Sequence, residues 1–175
     1  MSEGGKALPR FEPLGKHHDR AAFSCTHAEL TTYLRKLAMQ DARRRIAATT
    51  VLLVPDERTI VAYHTLSATR LNLGELPPDL QRRYPKYAEG VPATLIGRLG
   101  VDERFAGQGF GRATLMDALN KAFLATGAVA SAFVIVRAID DAAADFYRRY
   151  GFVSLPDQAH RLFIPMETIA QLVAR

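Results

Sequence analysis

A glycine-rich turn set between an apolar, strand-like run and an amphipathic helix constrains this chain more than any other feature. Leu99-Gly100-Val101 leads through Asp102-Glu103-Arg104-Phe105 into Ala106-Gly107-Gln108-Gly109-Phe110-Gly111-Arg112. The first amides of a helix have no partner within it, and the helix dipole adds partial positive charge there, so such a junction can hold an anion through backbone N–H groups. Gly107, Gly109 and Gly111 let the backbone approach a phosphate closely and adopt positive φ where the turn requires it. Leu115, Leu119 and Ala122 follow at helical spacing, with Met116 and Phe123 widening the stripe, which predicts a packed helix from about Gly109. No Gly-Lys-Ser/Thr ending is present to make this a nucleotide P-loop. A dinucleotide fold would carry its glycines on the first βαβ unit, whereas these lie past mid-chain. Glycines that serve the turn alone fit the loop equally well, so by itself it leaves both readings open.

A second segment decides between them: Ala142-Ala143-Ala144-Asp145-Phe146-Tyr147-Arg148-Arg149-Tyr150-Gly151-Phe152. Together the two segments resemble motifs A and B of the GNAT acyltransferases: a strand, a Q/R-x-x-G-x-G/A pyrophosphate loop with its helix, another strand, then a helix ending in F-Y-x-x-x-G-F. Gly109 and Gly111 match the two glycines, and Phe146, Tyr147, Gly151 and Phe152 match the second signature. Ala106 stands where the first motif usually has glutamine or arginine, so backbone amides alone would hold the pyrophosphate. The resemblance narrows with Phe23-x-Cys25, Leu30-x-x-Tyr33-Leu34, Ala38-x-Gln40-Asp41, Ala62 to Ser67, Gly97-Arg98-Leu99 and Arg161 to Met166, and then covers about residues 11 to 170. These are similar to the branch holding the TacT-like and AtaT-like toxins, although Thr26 and Thr31 stand where that branch more often has glycine and aspartate.

The fold implied by the resemblance is α/β: the GNAT fold, a mixed central β-sheet with a splayed parallel strand pair, flanked by helices. The implied cosubstrate is acetyl-CoA, its pantetheine arm on the backbone of Leu99 and Val101 and its pyrophosphate over Ala106, Gly107, Gly109, Phe110, Gly111 and Arg112. Tyr147 is implied as the general acid, since a phenol with a reference pKa of about 10 is protonated at neutral pH and can stabilise a leaving thiolate. The implied reaction is acetylation of the α-amino group of aminoacyl-tRNA, which blocks translation, by the toxin of a type II toxin–antitoxin pair. A ribbon-helix-helix antitoxin and a homodimer are the expected partners, and the cytoplasm the expected location. An α-amine with a pKa of about 7.7 to 8.0 is partly neutral at pH 7, which suits a site with no evident general base. Arg43, Arg44, Arg98 and Arg137 are the candidates for contacting RNA phosphates, by charge and by their places at strand or helix ends. Acetylation of a small amine or a protein N-terminus, and a non-catalytic CoA-binding or partner-binding domain, stay open as alternatives.

Composition sets the outer bounds. The 175 residues suit one well-buried domain spanning 1–175, with 1–10 expected to be flexible. A net charge of +5 implies an acidic or polyanionic partner. No apolar run approaches membrane-spanning length and no signal peptide is apparent. The single cysteine, Cys25, excludes an internal disulfide and reads as a small buried hydrophobe. No metal site is expected: His17 and His18 are adjacent and should point different ways.

Hydrophobic spacing predicts an edge strand at 11–14, one amphipathic helix from His27 to about Arg45, and a hairpin of 46–55 and 59–73 turning at Pro55-Asp56-Glu57-Arg58. A proline-rich excursion from Leu76 to Pro92 precedes a parallel strand pair joined by the glycine-loop helix. Closing strands at 151–154 and 161–165 and a terminal helix at 167–174 follow, with an exposed sheet edge near 153–165 as a place for pairing across a two-fold axis.

Overall fold

The computed structural model describes residues 9–86 and 90–175. Most of the start expected to be flexible therefore lies outside the described residues. The strands are β1 (Arg10–Pro13), β2 (Ala48–Leu53), β3 (Ile60–Leu71), β4 (Val91–Val101), β5 (Phe133–Arg137), β6 (Val153–Leu155) and β7 (Gln158–Pro165). They form one mixed sheet in the order β1-β2-β3-β4-β5-β7-β6. The helices are α1 (Ala28–Thr32), α2 (Ala38–Arg43), α3 (Pro78–Gln81), α4 (Phe110–Ala125), α5 (Asp141–Arg149) and α6 (Met166–Val173). None of the described helices is long and apolar enough to cross a membrane.

β4 and β5 are the parallel pair, in register from Ala93↔Phe133 to Ile96↔Val136. The pairing ends there while β4 continues to Val101, so the backbone around Leu99 and Val101 runs past the reach of the β5 ladder. This is the local form of the splay that the sequence resemblance implies.

The chain folds as two compact units, Met1–Thr65 with Arg98–Asp117 and Leu66–Gly97 with Ala118–Arg175. In the first, Phe23, Tyr33, Leu34, Val51, Leu53, Ile60 and Tyr63 form one buried cluster, and Leu52, Val61 and Ala62 form another. β2 is thus apolar on both faces, as a strand covered on both sides must be. In the second unit Leu71, Leu76, Val91, Phe133, Ile135, Leu155 and Phe163 make the core.

Two expectations need correction. The helix from His27 to Arg45 is not uniform: α1 and α2 are joined by a π-helical turn, Tyr33–Leu37. In a pure α-helix, positions 33 and 41 would sit about 80° apart around the axis. The wider turn brings them together, and the Tyr33 hydroxyl donates to Asp41 Oδ2 at 2.9 Å. Apolar spacing at 30, 33, 34, 37 and 38 looks helical in either winding, so the pattern conceals the change. The second correction concerns the exposed edge. β7 is paired on both sides, with β5 and β6, and only the short β6, whose register shifts between Ser154 and Leu155, is a free edge. A short, irregular edge strand is a poor template for further pairing.

Candidate active site

The glycine turn is held at both ends and open in the middle. Phe105 and Phe110 pack edge to face, 6.3 Å between ring centroids, and both rest on the Leu52, Val61 and Ala62 cluster. Before them, buried Asp102 accepts hydrogen bonds from the Ser24 amide at 3.0 Å and from the Arg104 amide and Nε, each at 2.9 Å. Between these anchors Ala106 to Gly109 are exposed. Gly107 and Gly109 have φ of 74° and 83°, and a Cβ at either would meet nothing within 4 Å. Their role is conformational: an L side chain would be strained there even though space is available. Gly111 differs from the expectation, since it lies in the first turn of α4 outside the left-handed region. Its missing side chain leaves that turn's amides uncovered.

The first bond of α4 runs from the Ala113 amide to the Gly109 carbonyl at 3.2 Å. The amides of Phe110, Gly111 and Arg112 are then the orphan donors of the helix, and the glycine at the cap position has no side chain to take them. An anion with several acceptor oxygens fits this cradle, and Arg112 is exposed beside it.

Burial by itself would raise the pKa of Asp102, but Arg104 and the surrounding amides outweigh it and hold the carboxyl below its usual value. With the folded value depressed, the unfolded chain binds more protons as pH falls, so this contribution to stability is complete above about pH 3.9 and lost below it. Urea denaturation should therefore find Asp102→Asn less stable than wild type at pH 7, with the gap shrinking below about pH 4; a gap independent of pH would contradict this account.

Arg98 is more constrained than its sequence position suggests. Its guanidinium lies 3.7 Å over the Tyr33 ring, and its amide donates to Thr65 Oγ1 at 3.0 Å. Burial and the Asp41 bond push the Tyr33 phenol up to about 12, so it stays a donor at neutral pH. Arg43 and Arg44 are exposed at the end of α2. Arg45 then adopts φ of 58°, with its amide bonded to the Ala42 carbonyl at 3.2 Å and the Ile46 amide to Asp41 at 2.9 Å. This is a Schellman cap with arginine at the position glycine normally fills, so the basic cluster and the helix terminus are the same feature. Arg137, exposed at the end of β5, belongs to the other unit.

Tyr147 lies in that second unit, on α5. The helix starts at Asp140, whose side chain accepts from the Ala143 amide at 2.8 Å. It ends in another Schellman cap: the Gly151 amide bonds Arg148 O at 3.2 Å, the Phe152 amide bonds Tyr147 O at 3.3 Å, and Gly151 has φ of 96°. The Phe152 ring packs on Tyr147, 5.4 Å between centroids. The spacing Tyr-x-x-x-Gly-Phe is thus a helix stop that fixes the tyrosine. Tyr147 is buried, and burial raises its pKa above that of a free phenol. Among the described residues its hydroxyl has no hydrogen-bond partner, yet it is not one of the fully buried orphan atoms, so it opens to solvent.

With these features in place, the comparison with known proteins can be read. The model of the acetyltransferase (GNAT) family matches residues 17–152. The chain belongs to that family. Among its GNAT relatives, a probable toxin TacT of Sinorhizobium fredii is 27% identical across 99% of each chain. A tRNA-acetylating toxin of Mycobacterium tuberculosis is 26% identical, covering 89% of this chain and 90% of the relative. The solved structure of AtaT complexed with acetyl-methionyl-tRNAfMet superposes with a TM-score of 0.86 at 26% identity, covering 95% of this chain and 99% of that one.

Two clusters in the GNAT chain were not anticipated from sequence. His17 and His18 do not point apart: their rings lie 4.0 Å apart and both reach Glu12. The Gly15 amide donates to His18 Nδ1 at 2.9 Å, so in the neutral ring the proton sits on Nε2, aimed at Glu12. That occupies the lone-pair position a metal would need, and the cluster is built as a hydrogen-bond network. His64, fully buried on β3, meets Asp117 of α4 at 2.8 Å through Nε2, while its Nδ1 has no partner. A lone histidine in an apolar strand and an aspartate far along a helix give no sequence signal of pairing.

Proposed function

We propose that this GNAT chain transfers the acetyl group of acetyl-CoA to the α-amino group of aminoacyl-tRNA and so inhibits translation, as the toxin of a toxin–antitoxin pair. The observation that carries the reading is full-length similarity to a protein named for acetylating tRNA, joined to a backbone that follows AtaT with its acetylated tRNA. Acetyl-CoA supplies an activated thioester. The orphan amides of 110–112 and the open glycine turn hold the pyrophosphate, and Leu99 and Val101 offer backbone partners to the pantetheine arm. The neutral α-amine attacks the thioester carbonyl carbon and loses a proton to water. As the carbon–sulfur bond breaks, Tyr147 gives its proton to the departing thiolate and is reprotonated from solvent. A phenol whose pKa is raised by burial and whose hydroxyl opens to solvent suits that task.

Arg98, braced on Tyr33, and Arg43, Arg44 and Arg137 are read as contacts for RNA phosphates. The expected partners are a ribbon-helix-helix antitoxin and a second copy of the chain, and the site of action is the cytoplasm, where charged tRNA is found. The chain passes between its two units at 65/66, 97/98 and 117/118, which supports reading it as a single domain.

The test is transfer of labelled acetyl from acetyl-CoA to total aminoacyl-tRNA, with uncharged tRNA and a panel of small amines beside it. Label on charged tRNA alone is expected; label on small amines alone would overturn the acceptor while keeping the chemistry.

A further inference from the structure

The segment between β1 and α1 builds a concentration of positive charge that acetyl transfer leaves unused. Lys16, Arg20, Arg35 and Arg58, with His18 at the wall, line an open cavity of about 400 Å³ whose only lining carboxylate is Asp19. Among the described residues none of these four cations forms an ion pair with a carboxylate. Neutral acceptors orient two of them: Arg20 Nη1 donates to the Arg35 carbonyl at 3.2 Å, and Arg35 Nε to the Phe23 carbonyl at 2.9 Å. Such bonds aim the guanidinium groups without neutralising them.

The walls are fixed. Leu14 N–H bonds the Thr49 carbonyl at 3.0 Å, Asp19 N–H bonds the Arg58 carbonyl at 2.8 Å, and Asp19 bridges to Thr59. The Gly15 bond to His18 closes the loop at its start. Four like charges held by rigid walls with a single carboxylate repel one another unless an anion joins them. The cations stand on separate segments, the 16–20 loop, the π-helical turn and the β2–β3 turn, around an open mouth. That geometry presents a furrow to a polyanionic chain more than a chamber to a small ligand.

We propose that this cavity is a docking site for the phosphodiester backbone of RNA, giving the substrate a hold on the enzyme separate from the reacting amine. The assignment rests on the tRNA reading above. The experiment measures binding of uncharged tRNA by fluorescence anisotropy over a series of salt concentrations, for wild type, Lys16→Ala/Arg58→Ala and, as a control for a lost surface cation, Arg175→Ala. The double variant should bind on the order of tenfold to a hundredfold more weakly at 0.1 M salt, with the log–log salt slope smaller by about 2, while circular dichroism and acetyl-CoA affinity stay unchanged. An effect no larger than that of Arg175→Ala overturns the docking site and leaves the substrate reading intact. A wild type that binds no tRNA overturns the substrate reading and the site's occupant together. Titration of inorganic phosphate, followed at the His17 and His18 ring resonances, supplies the remaining arm. Saturation that is lost in the double variant while tRNA affinity is retained would assign the cavity to a small anion and overturn the RNA proposal.

Discussion

Tyr147→Phe is expected to lower the rate of acetyl transfer by on the order of 10²–10⁴-fold, with acetyl-CoA affinity and thermal stability close to wild type. The substitution removes one oxygen and keeps the ring. The ring is what α5 uses: it packs against Phe152 at the Schellman cap and against Phe146, 5.2 Å between centroids. The hydroxyl has no partner among the described residues, so its loss strands no donor or acceptor within the fold. Structure and chemistry are therefore separable at this position, which is seldom so for a buried polar residue. Single-turnover transfer to aminoacyl-tRNA reads the chemical step, and isothermal titration with CoA reads the cradle. A variant that turns over at the wild-type rate would remove Tyr147 as the acid; one that also loses CoA affinity would give it a binding role instead.

The second large effect is on stability. Asp117→Ala should destabilise the protein by about 3 kcal/mol, because it leaves both ring nitrogens of a fully buried His64 without partners. For a chain of this length that corresponds to a fall in Tm of roughly 6–12 °C. The double substitution His64→Leu/Asp117→Leu should recover most of the loss, since an apolar pair costs nothing to desolvate. Differential scanning calorimetry of the single and double variants tests this, and an unchanged Tm in Asp117→Ala would show that the pair contributes nothing. The pair already carries an unmet atom, His64 Nδ1, so it is not optimised for stability alone. It ties β3 to the middle of the helix whose first turn forms the anion cradle, so loss of stability and loss of acetyl-CoA affinity are expected together.

The sequence exposed what is local and repetitive. The glycine turn, the helix beginning at Phe110, the hairpin of β2 and β3 and the stop at Gly151 all follow from periodicity and turn chemistry, because each is set by neighbours within a few positions. Tyr147 was legible through its place in a helix-ending signature. What escaped was set at a distance or by a small change in winding. The Glu12, His17 and His18 cluster depends on how a short loop folds back on β1, and a contact between β3 and α4 such as His64 with Asp117 leaves no trace in either segment. Arg98 was chosen for its charge, but its orientation comes from a tyrosine on the opposite side of a long sequence gap.

The π-helical turn at Tyr33–Leu37 bears on how this chain can change over time. A deletion of a single residue there would not break the helix; it would let the segment relax into an uninterrupted α-helix, the ordinarily preferred winding. Everything beyond the deletion would then rotate by about 100°, carrying Asp41 out from beneath Tyr33 and unseating the ring on which Arg98 rests. Length changes in this stretch are thus governed by a single aromatic platform instead of by helix continuity, and descendants of this chain that shorten it must also give up, or rebuild, that arginine's support.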